Sequence, residues 1–409
     1  MVHVYEETGT FNAAVRVTDI EGGQESAVQE ITVHPPGWVQ IPLPVSGVAA
    51  PSLAVIDGHP AVSLCINDSV LYVRADSVTG DSPEDWPDPV EVDAPTTVSL
   101  LNDLAEINGN PAIAYTADSA FRFARSVSSE GMNAADWSQK AEIAQPEDSN
   151  GTGFLSLALI SGNPAVSYYV AKLSPTRCLI VFNRASTATG SNDADWTDYV
   201  TVHEYETWWV PQGPPALCDV LGHPALAYYA DSGEGLRLFY VWSTTSTGGS
   251  AADWSQKVQF NYTINKIGSL FCRLAKAAFC PAIVYISKNS LGDTEYVNYI
   301  RATTSTGQLL GDWAEGAQWE HTSSGYWFCG LAMAAGNPAI VYHDADASAL
   351  MFTISETSDG GNSDDWSEPE DVAEKPAWGY CDLAAVYGNP AFVYADDNEK
   401  QVYYCYLRR

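Results

Sequence analysis

The chain has few basic residues and no long apolar run. Of its 409 residues, 19 are Lys or Arg and 51 are Asp or Glu, which gives a formal net charge of −32. A surface this negative repels the phosphates of nucleic acids and of anionic lipids, so we predict no nucleic-acid partner. No apolar run approaches the roughly 18 residues that a membrane-spanning helix needs, so we predict no membrane insertion.

The sequence also lacks the usual signals for metal binding and export. Its eight cysteines show no CxxC spacing, and no DxDxDG loop for calcium is present. We therefore predict no cofactor and no metal site, with Ca²⁺ left open as an alternative because the predicted loops between second and third strands are acidic. The loop acids are Asp118, Asp231, Glu234, Asp344, Asp346, Asp396 and Asp397. The first residues are neither basic nor apolar, so we expect no signal peptide there.

What the chain has in abundance is a single repeat. The dipeptide Pro-Ala occurs seven times at intervals of 51 to 60 residues, and a Leu stands seven positions before each proline. The seven prolines are Pro60, Pro111, Pro164, Pro224, Pro281, Pro338 and Pro390. An Asp-Trp pair separates successive copies six times, from Asp85-Trp86 to Asp365-Trp366. This regularity indicates a repeat architecture.

Each copy of the repeat translates into four strands. In six copies a Gly two positions before the proline permits a tight turn, with Phe279 the exception. The proline then begins the second strand, where a missing N–H costs little. An apolar run such as residues 236–242 is the third strand, and the Asp-Trp pair precedes the fourth. Seven such units predict an all-β protein, a seven-bladed β-propeller of four-stranded antiparallel blades.

The two ends of the chain indicate how the ring closes. The seventh copy lacks an Asp-Trp segment after its third strand, whereas Trp38 begins an extra segment of that kind near the N-terminus. We predict that this N-terminal strand completes the last blade. The propeller then covers residues 37–409, and residues 1–36 are a short β remnant with a linker.

Two parts of the sequence resemble known families. Loops such as SVTGDSPEDW resemble the Asp-box of sialidase-like (BNR) propellers, Ser/Thr-x-Asp-x-Gly-x-x-Trp, with the Asp moved next to the Trp, and the whole unit resembles propeller repeats of large bacterial surface proteins. Residues 1–34 resemble the last strands of a PKD (polycystic kidney disease) repeat through His3, Tyr5 and Asp19. These resemblances imply a secreted or cell-surface bacterial protein, and we expect the chain to be part of a longer one.

The variable loops predict where a ligand binds. In four-stranded blades, the loops between blades share one face with the loops between the second and third strands, and here these loops differ from copy to copy. They are rich in aromatic rings, which stack on sugars or fill gaps between blades. The predicted ligand-binding residues are Trp208, Trp209, Tyr326, Trp327, Trp378, Tyr380, His343 and Asp344.

No set of catalytic residues stands out in the sequence. A sialidase-like enzyme needs three arginines on the variable face, and the arginines of this chain are scattered. The sequence therefore favours a non-catalytic ligand-binding or adhesion propeller whose partner is a glycan or a protein, with the oligomeric state left open. Two alternatives remain, a glycan-active hydrolase or lyase of sialidase-like architecture and a structural spacer.

Overall fold

The structure is a computed structural model, and its description covers most of the chain. The described residues are 9–18, 24–33, 36–47, 50–147, 149–173, 176–206, 213–233, 235–260, 271–288, 295–321, 328–344, 349–374, 380–396 and 398–409. Within them, no helix combines the length and apolar character that a bilayer crossing requires.

A two-stranded hairpin comes first in the chain. Strands β1 (Gly9–Thr18) and β2 (Gln24–Val33) pair antiparallel, with Gly9 opposite Val33. The short N-terminal β element is therefore confirmed. Its assignment to a PKD repeat and the domain boundary at residue 36 stay predictions.

Seven antiparallel sheets of four strands follow as blades. Strand β3 (Gly37–Ser46) comes before the first of them in the chain. The first blade is β4 (Ser52–Ile56), β5 (His59–Ile66), β6 (Ser69–Arg74) and β7 (Val90–Asp93). The second blade is β8 (Val98–Ile107), β9 (Asn110–Ala117), β10 (Ala120–Arg125) and β11 (Lys140–Ile143). The third and fourth are β12 (Ser149–Ile160), β13 (Asn163–Leu173), β14 (Thr176–Arg184), β15 (Tyr199–Glu206), and β16 (Ala216–Val220), β17 (His223–Asp231), β18 (Leu236–Trp242), β19 (Lys257–Gln259).

The remaining blades repeat the same order. The fifth and sixth are β20 (Cys272–Ala277), β21 (Cys280–Lys288), β22 (Glu295–Ala302), β23 (Trp313–His321), and β24 (Cys329–Ala334), β25 (Asn337–Asp344), β26 (Ala349–Ile354), β27 (Glu370–Glu374). The seventh is β28 (Cys381–Val386), β29 (Asn389–Asp396) and β30 (Gln401–Arg408), completed by β3. Short 3₁₀ turns precede the fourth strands at Pro83–Asp85, Ala134–Trp137, Asp193–Trp196, Ala251–Trp254, Leu310–Asp312 and Ser363–Asp365.

The ring closes as the sequence predicts. Strand β3 pairs antiparallel with β30, and Trp38 lies opposite Leu407. The Trp38 ring packs edge-on against Phe352 of the sixth blade, with centroids 4.9 Å apart. Every Asp-Trp tryptophan likewise packs against an aromatic ring of the third strand of the blade before it. Trp86 of the first blade meets Tyr404 of the seventh at 4.9 Å between centroids. The predicted seven-bladed propeller is confirmed.

The repeated Pro, Gly and Trp residues form one packed unit in each blade. In the fourth blade the indole N–H of Trp254 donates to the carbonyl oxygen of Gly248 at 2.9 Å. A Cβ placed on Gly248 would lie 2.6 Å from the Trp254 ring and 3.0 Å from Cγ of Pro224. The same three-way contact explains why these residues recur together in the sequence.

Replacing Gly248 with alanine is expected to destabilise the propeller by about 2–5 kcal/mol, because the residue has a left-handed φ of +59° and no room for a methyl group. Gly249→Ala is the matched control, since its Cβ meets only Thr247 at 3.6 Å. Urea unfolding of both variants measures the difference. Equal losses of stability in the two variants would contradict this packing.

The turns and loops divide between two faces as predicted. A shallow groove brings Asp57 and His59, from the turn between the first two strands, beside Asp88 and Glu130, from loops between third and fourth strands. At the other face, the first residues of the innermost strands gather around the axis. Where the structure describes them, as at Ala50, Pro51 and Pro214, the loops that lead into the innermost strands therefore lie at this end of the axis.

Candidate functional site

A pocket lies on the propeller axis, where the innermost strand of each blade begins. Residues from all seven blades line it, and its volume is about 180 Å³. A cavity of roughly 150 Å³ holds a benzene molecule, so this pocket has room for one ring-sized group. We call it the axial pocket.

One repeat position supplies the polar character of the axial pocket. It is the residue immediately before the conserved leucine of each innermost strand, and we call the seven residues the axial ring. They are Ser52, Asp103, Ser156, Ala216, Arg273, Gly330 and Asp382. The leucine is the same in every blade, whereas the axial ring changes from blade to blade and carries three ionisable groups, Asp103, Arg273 and Asp382.

Two carboxylates of the axial ring flank one hydroxyl. The Ser52 hydroxyl oxygen lies 3.4 Å from Oδ1 of Asp103 and 3.2 Å from Oδ2 of Asp382. Its single proton serves one carboxylate at a time. The two carboxylate oxygens therefore lie no farther apart than these two distances taken together.

Backbone amides hold both carboxylates in place. Leu157 N–H donates to Oδ2 of Asp103 at 2.6 Å. Asp382 accepts from Leu53 N–H at 2.9 Å and from Leu383 N–H at 3.0 Å. The Leu157 and Leu53 bonds connect neighbouring blades, whereas Leu383 follows Asp382 in its own strand. Together these bonds fix the direction of each carboxylate, so the pair is preorganised.

The surroundings of the two carboxylates affect the pKa of Asp103 and the pKa of Asp382 differently. Loss of solvent and, second, the negative charge of Asp382 raise the pKa of Asp103 to about 7, against the opposing influence of the Leu157 amide and Arg273. Desolvation also raises the pKa of Asp382, but there the Arg273 charge is the first opposing influence, followed by the amides of Leu53 and Leu383. Asp103 is thus the group that carries a proton near neutral pH, and Asp382 is the better-stabilised anion.

An arginine and an arc of aromatic rings complete the wall of the pocket. The Arg273 guanidinium lies 5.7 Å from the centre of the Phe271 ring. Phe328 packs against Phe271 at 4.0 Å and against Tyr380 at 4.2 Å between centroids. Burial opposes the charged form of Arg273, but nearby groups, Asp382 first and Asp103 among them, together raise its pKa, so the guanidinium stays positive.

Of the predicted ligand-binding residues, Tyr380 lies in the axial pocket. His343 is buried and Asp344 half-buried at the end of β25, and neither is among the described residues that line the pocket. The other five lie outside the described residues. They are Trp208, Trp209, Tyr326, Trp327 and Trp378.

Three of the predicted loop acids take part in local contacts. Asp118 pairs with Arg122 at 2.8 Å, Asp231 accepts from Gly233 N–H, and Asp396 accepts from two amides of the turn that follows it. Over the described ranges, no three His, Cys, Asp or Glu side chains are grouped to hold a metal ion. Ca²⁺ binding remains an untested alternative.

The sequence analysis missed the carboxylate pair. Asp103 and Asp382 each stand next to a leucine of the repeat, yet they are separated by five blades in the chain. The available signal was the alignment of the repeats itself: one column beside an invariant leucine contains Ser, Asp, Ala, Arg and Gly. A position on an innermost strand that differs between blades and includes charged residues is not explained by packing alone.

Comparisons with solved structures match the propeller fold. The α-L-arabinofuranosidase Arb93A of Fusarium graminearum, in complex with an iminosugar inhibitor, is 13% identical with a TM-score of 0.49, over 75% of this chain and 92% of that one. The α-L-arabinanase of Penicillium chrysogenum, complexed with arabinobiose, is 12% identical with a TM-score of 0.47, over 91% and 97%. The Cps50 (Swd1) propeller domain of Myceliophteria thermophila is 8% identical with a TM-score of 0.49, over 90% and 99%.

At these identities the likeness is one of fold. No protein-family model matches the chain, and no curated protein matches its sequence. The matched structures include catalytic glycoside hydrolases, among them a GH32 β-fructofuranosidase of Bombyx mori. The prediction of a non-catalytic ligand-binding or adhesion propeller is therefore wrong, and the findings favour its stated alternative, a glycan-active enzyme. What the sequence analysis did not bring together is the pair of axial-ring carboxylates, Asp103 and Asp382.

Proposed function

We propose that the chain is a glycoside hydrolase whose reaction takes place in the axial pocket. The observation that carries the proposal is the pair formed by Asp103 and Asp382 on either side of Ser52. Glycoside hydrolysis commonly uses two carboxyl groups, one protonated and one ionised, on the two sides of the bond that breaks. An aromatic wall beside such a pair suits a sugar ring, whose C–H face stacks on aromatic rings.

The difference in proton affinity assigns the roles. Asp103, with a pKa of about 7, is the general acid that protonates the glycosidic oxygen as the bond to the anomeric carbon breaks. Its Oδ1 faces Ser52 while Oδ2 is occupied by the Leu157 amide, so Oδ1 is the oxygen that holds the proton. Asp382 is the carboxylate that meets the positive charge developing on the sugar.

The separation of the two groups favours a double displacement. The distances through Ser52 set an upper limit on the carboxylate separation that only reaches the lower edge of the inverting range of roughly 6.5–9.5 Å. Asp382 then attacks the anomeric carbon to form a glycosyl ester, and the first sugar leaves with the proton of Asp103. Water attacks the ester, returns a proton to Asp103 and releases the second sugar with retained configuration.

The experiment that tests the proposal is turnover of oligosaccharides and aryl glycosides, with ¹H NMR of the first-formed anomer. We expect retention, and a loss of turnover by about 100-fold or more for Asp382→Asn. The exposed Asp364→Asn variant is the matched control and should retain full activity. Inversion would refute the double displacement, an unsaturated sugar product would identify a lyase, and no turnover on any glycan would refute the proposal as a whole.

We also propose that the protein acts outside a bacterial cell on a glycan partner. The resemblances of its repeat to bacterial surface propellers, of its polar loops to the Asp-box and of residues 1–34 to a PKD repeat support this location. The high negative charge supports it in a second way, because it keeps a secreted protein soluble and disperses copies by repulsion. Fractionation of the source cells is the direct measurement.

A further inference from the structure

The axial ring supplies hydrogen-bond acceptors to only part of its circumference. In four places, the side chain of one blade accepts the backbone N–H of the conserved leucine in the next blade. These contacts are Asp382 with Leu53 at 2.9 Å, Ser52 with Leu104 at 3.1 Å, Asp103 with Leu157 at 2.6 Å, and Ser156 with Leu217 at 3.3 Å. They show that this N–H points toward the neighbouring blade at the axis, away from its own partner strand.

The series breaks at the fifth and sixth blades. Ala216 and Arg273, which precede these blades in the ring, have no acceptor in their side chains. Leu274 pairs with Ile283 in the register of the other conserved leucines, and Leu331 pairs likewise with Ile340, so their N–H groups point the same way. Within the described residues, neither amide donates to a side chain, which leaves two donors at the axis.

Arg273 stands at this break. Its guanidinium lines the axial pocket against the Phe271 ring, and the described part of the chain gives it neither a hydrogen bond nor an ion pair. Other arginines of the propeller are paired: Arg408 with Asp81 at 2.6 Å, and Arg122 with Asp93 at 3.3 Å. A guanidinium that no carboxylate of the described residues approaches to ion-pair distance, at the place in the ring where two amides lack an acceptor, is a set of donors open to an anion.

We propose that the break in the axial ring, formed by Arg273 with the amides of Leu274 and Leu331, is a subsite for an anionic substituent of the glycan. This inference rests on the proposed function and names the substrate class of that site, an acidic sugar. The oxyanion is a uronic acid carboxylate or a sulfate ester. At the fifth and sixth blades, this oxyanion takes the place of the side-chain acceptors that the ring supplies elsewhere. Those acceptors are Asp382, Ser52, Asp103 and Ser156.

The arrangement accounts for selectivity in a strongly acidic protein. A net charge of −32 gives anions no long-range attraction, so recognition must come from short-range donors in a pocket with little water. Charge-assisted bonds to a guanidinium are roughly twice as strong as neutral ones, and they have a fixed direction. The subsite therefore also orients the sugar ring between the aromatic wall and the carboxylate pair.

The test is calorimetric binding of three ligands to the Asp103→Asn protein, in which turnover does not consume them. The ligands are an oligogalacturonate, its methyl ester, and a galactan oligosaccharide carrying 6-sulfate. We expect an anionic ligand to bind about 10-fold or more tightly than the neutral ester. Adding Arg273→Gln should weaken binding of the anionic ligand by about 10- to 100-fold. The affinity for the neutral ester should change by less than about 2-fold.

Three comparisons make the result decisive. Arg273→Lys retains the charge without the planar fork and should give intermediate affinity, and the exposed Arg16→Gln should change nothing. Preference for the carboxylate or for the sulfate identifies the source of the oxyanion. Equal binding of acid and ester, or equal weakening of both by Arg273→Gln, overturns the subsite. Selective binding without turnover by the wild type would retain the subsite and refute the hydrolase, whereas turnover of neutral glycans unaffected by Arg273→Gln would do the reverse.

Discussion

Replacing Asp103 with asparagine is expected to lower kcat on a cleavable glycoside by about 100- to 10,000-fold. Asparagine has nearly the same shape, and its carbonyl oxygen still accepts the Leu157 amide that bonds to Asp103. It has no acidic proton for the leaving oxygen. Steady-state kinetics with a substrate that has a poor leaving group measures the loss, since such substrates depend most on protonation. An aryl glycoside with an acidic phenol should lose far less.

The pH profile gives an independent check on Asp103. A general acid works only while it is protonated, so the wild-type rate should fall as the pH rises above about 7. Asp103→Asn should lose this alkaline limb while retaining the acid limb, which reports protonation of Asp382. An unchanged alkaline limb in the variant would assign that titration to another group.

The pH dependence of protein stability distinguishes a catalytic role of Asp103 from a structural one. Its pKa is raised from 3.8 to about 7 in the folded state, so the folded protein binds a proton that the unfolded chain has released. The contribution of this group to stability therefore falls as the pH rises from about 4 to about 7. Asp103→Asn carries no buried charge and should melt no lower than the wild type at pH 8. A large fall in melting temperature there would show that the carboxylate serves the fold instead.

Removal of residues 1–46 is expected to abolish the folded propeller. The deletion takes away β3, with the buried side chains of Ile41, Leu43 and Val45 and the Trp38 ring. Burial of each such side chain is worth about 1.5–3 kcal/mol, so their joint loss is comparable with the whole stability of roughly 5–15 kcal/mol of a typical domain. The deletion also leaves β30 as an open edge that invites aggregation.

The control for this deletion begins the chain at Gly37. It removes the hairpin of β1 and β2 and retains the whole of the last blade. Circular dichroism and calorimetry should find a cooperative transition near that of the full chain for this variant. Loss of the transition in both truncations would make the hairpin part of the cooperative unit, and retention in both would refute closure by β3.

The fold was predictable because its packing uses the same residues seven times. Pro224, Gly248 and Trp254 touch one another, so a change at any one of them disturbs the other two, and the same contact recurs in other blades. A feature constrained this tightly appears in one sequence without any alignment of relatives. Even the odd placement of Trp38 follows, since six outer strands cannot complete seven blades.

The site was harder to predict because its specificity lies in departures from the repeat. Asp103, Arg273 and Asp382 share a column with Ser52 and Gly330, and only the curvature of the ring shows that this column faces the axis. Gly330 has its own physical reason, because a Cβ there would lie 2.6 Å from Leu383. A regular repeat shows which residues packing requires, whereas residues with other roles stand at positions where packing does not fix the residue type.

The seam between the last and first blades has a consequence for how this protein matures. The amide of Leu53 reaches Asp382, 329 positions later in the chain, so both halves of the carboxylate pair come together only after the final strand has been made and captured. A partly synthesised chain would hold several finished blades without the paired carboxylates. Under the proposed hydrolase function, activity would therefore report the final step of assembly.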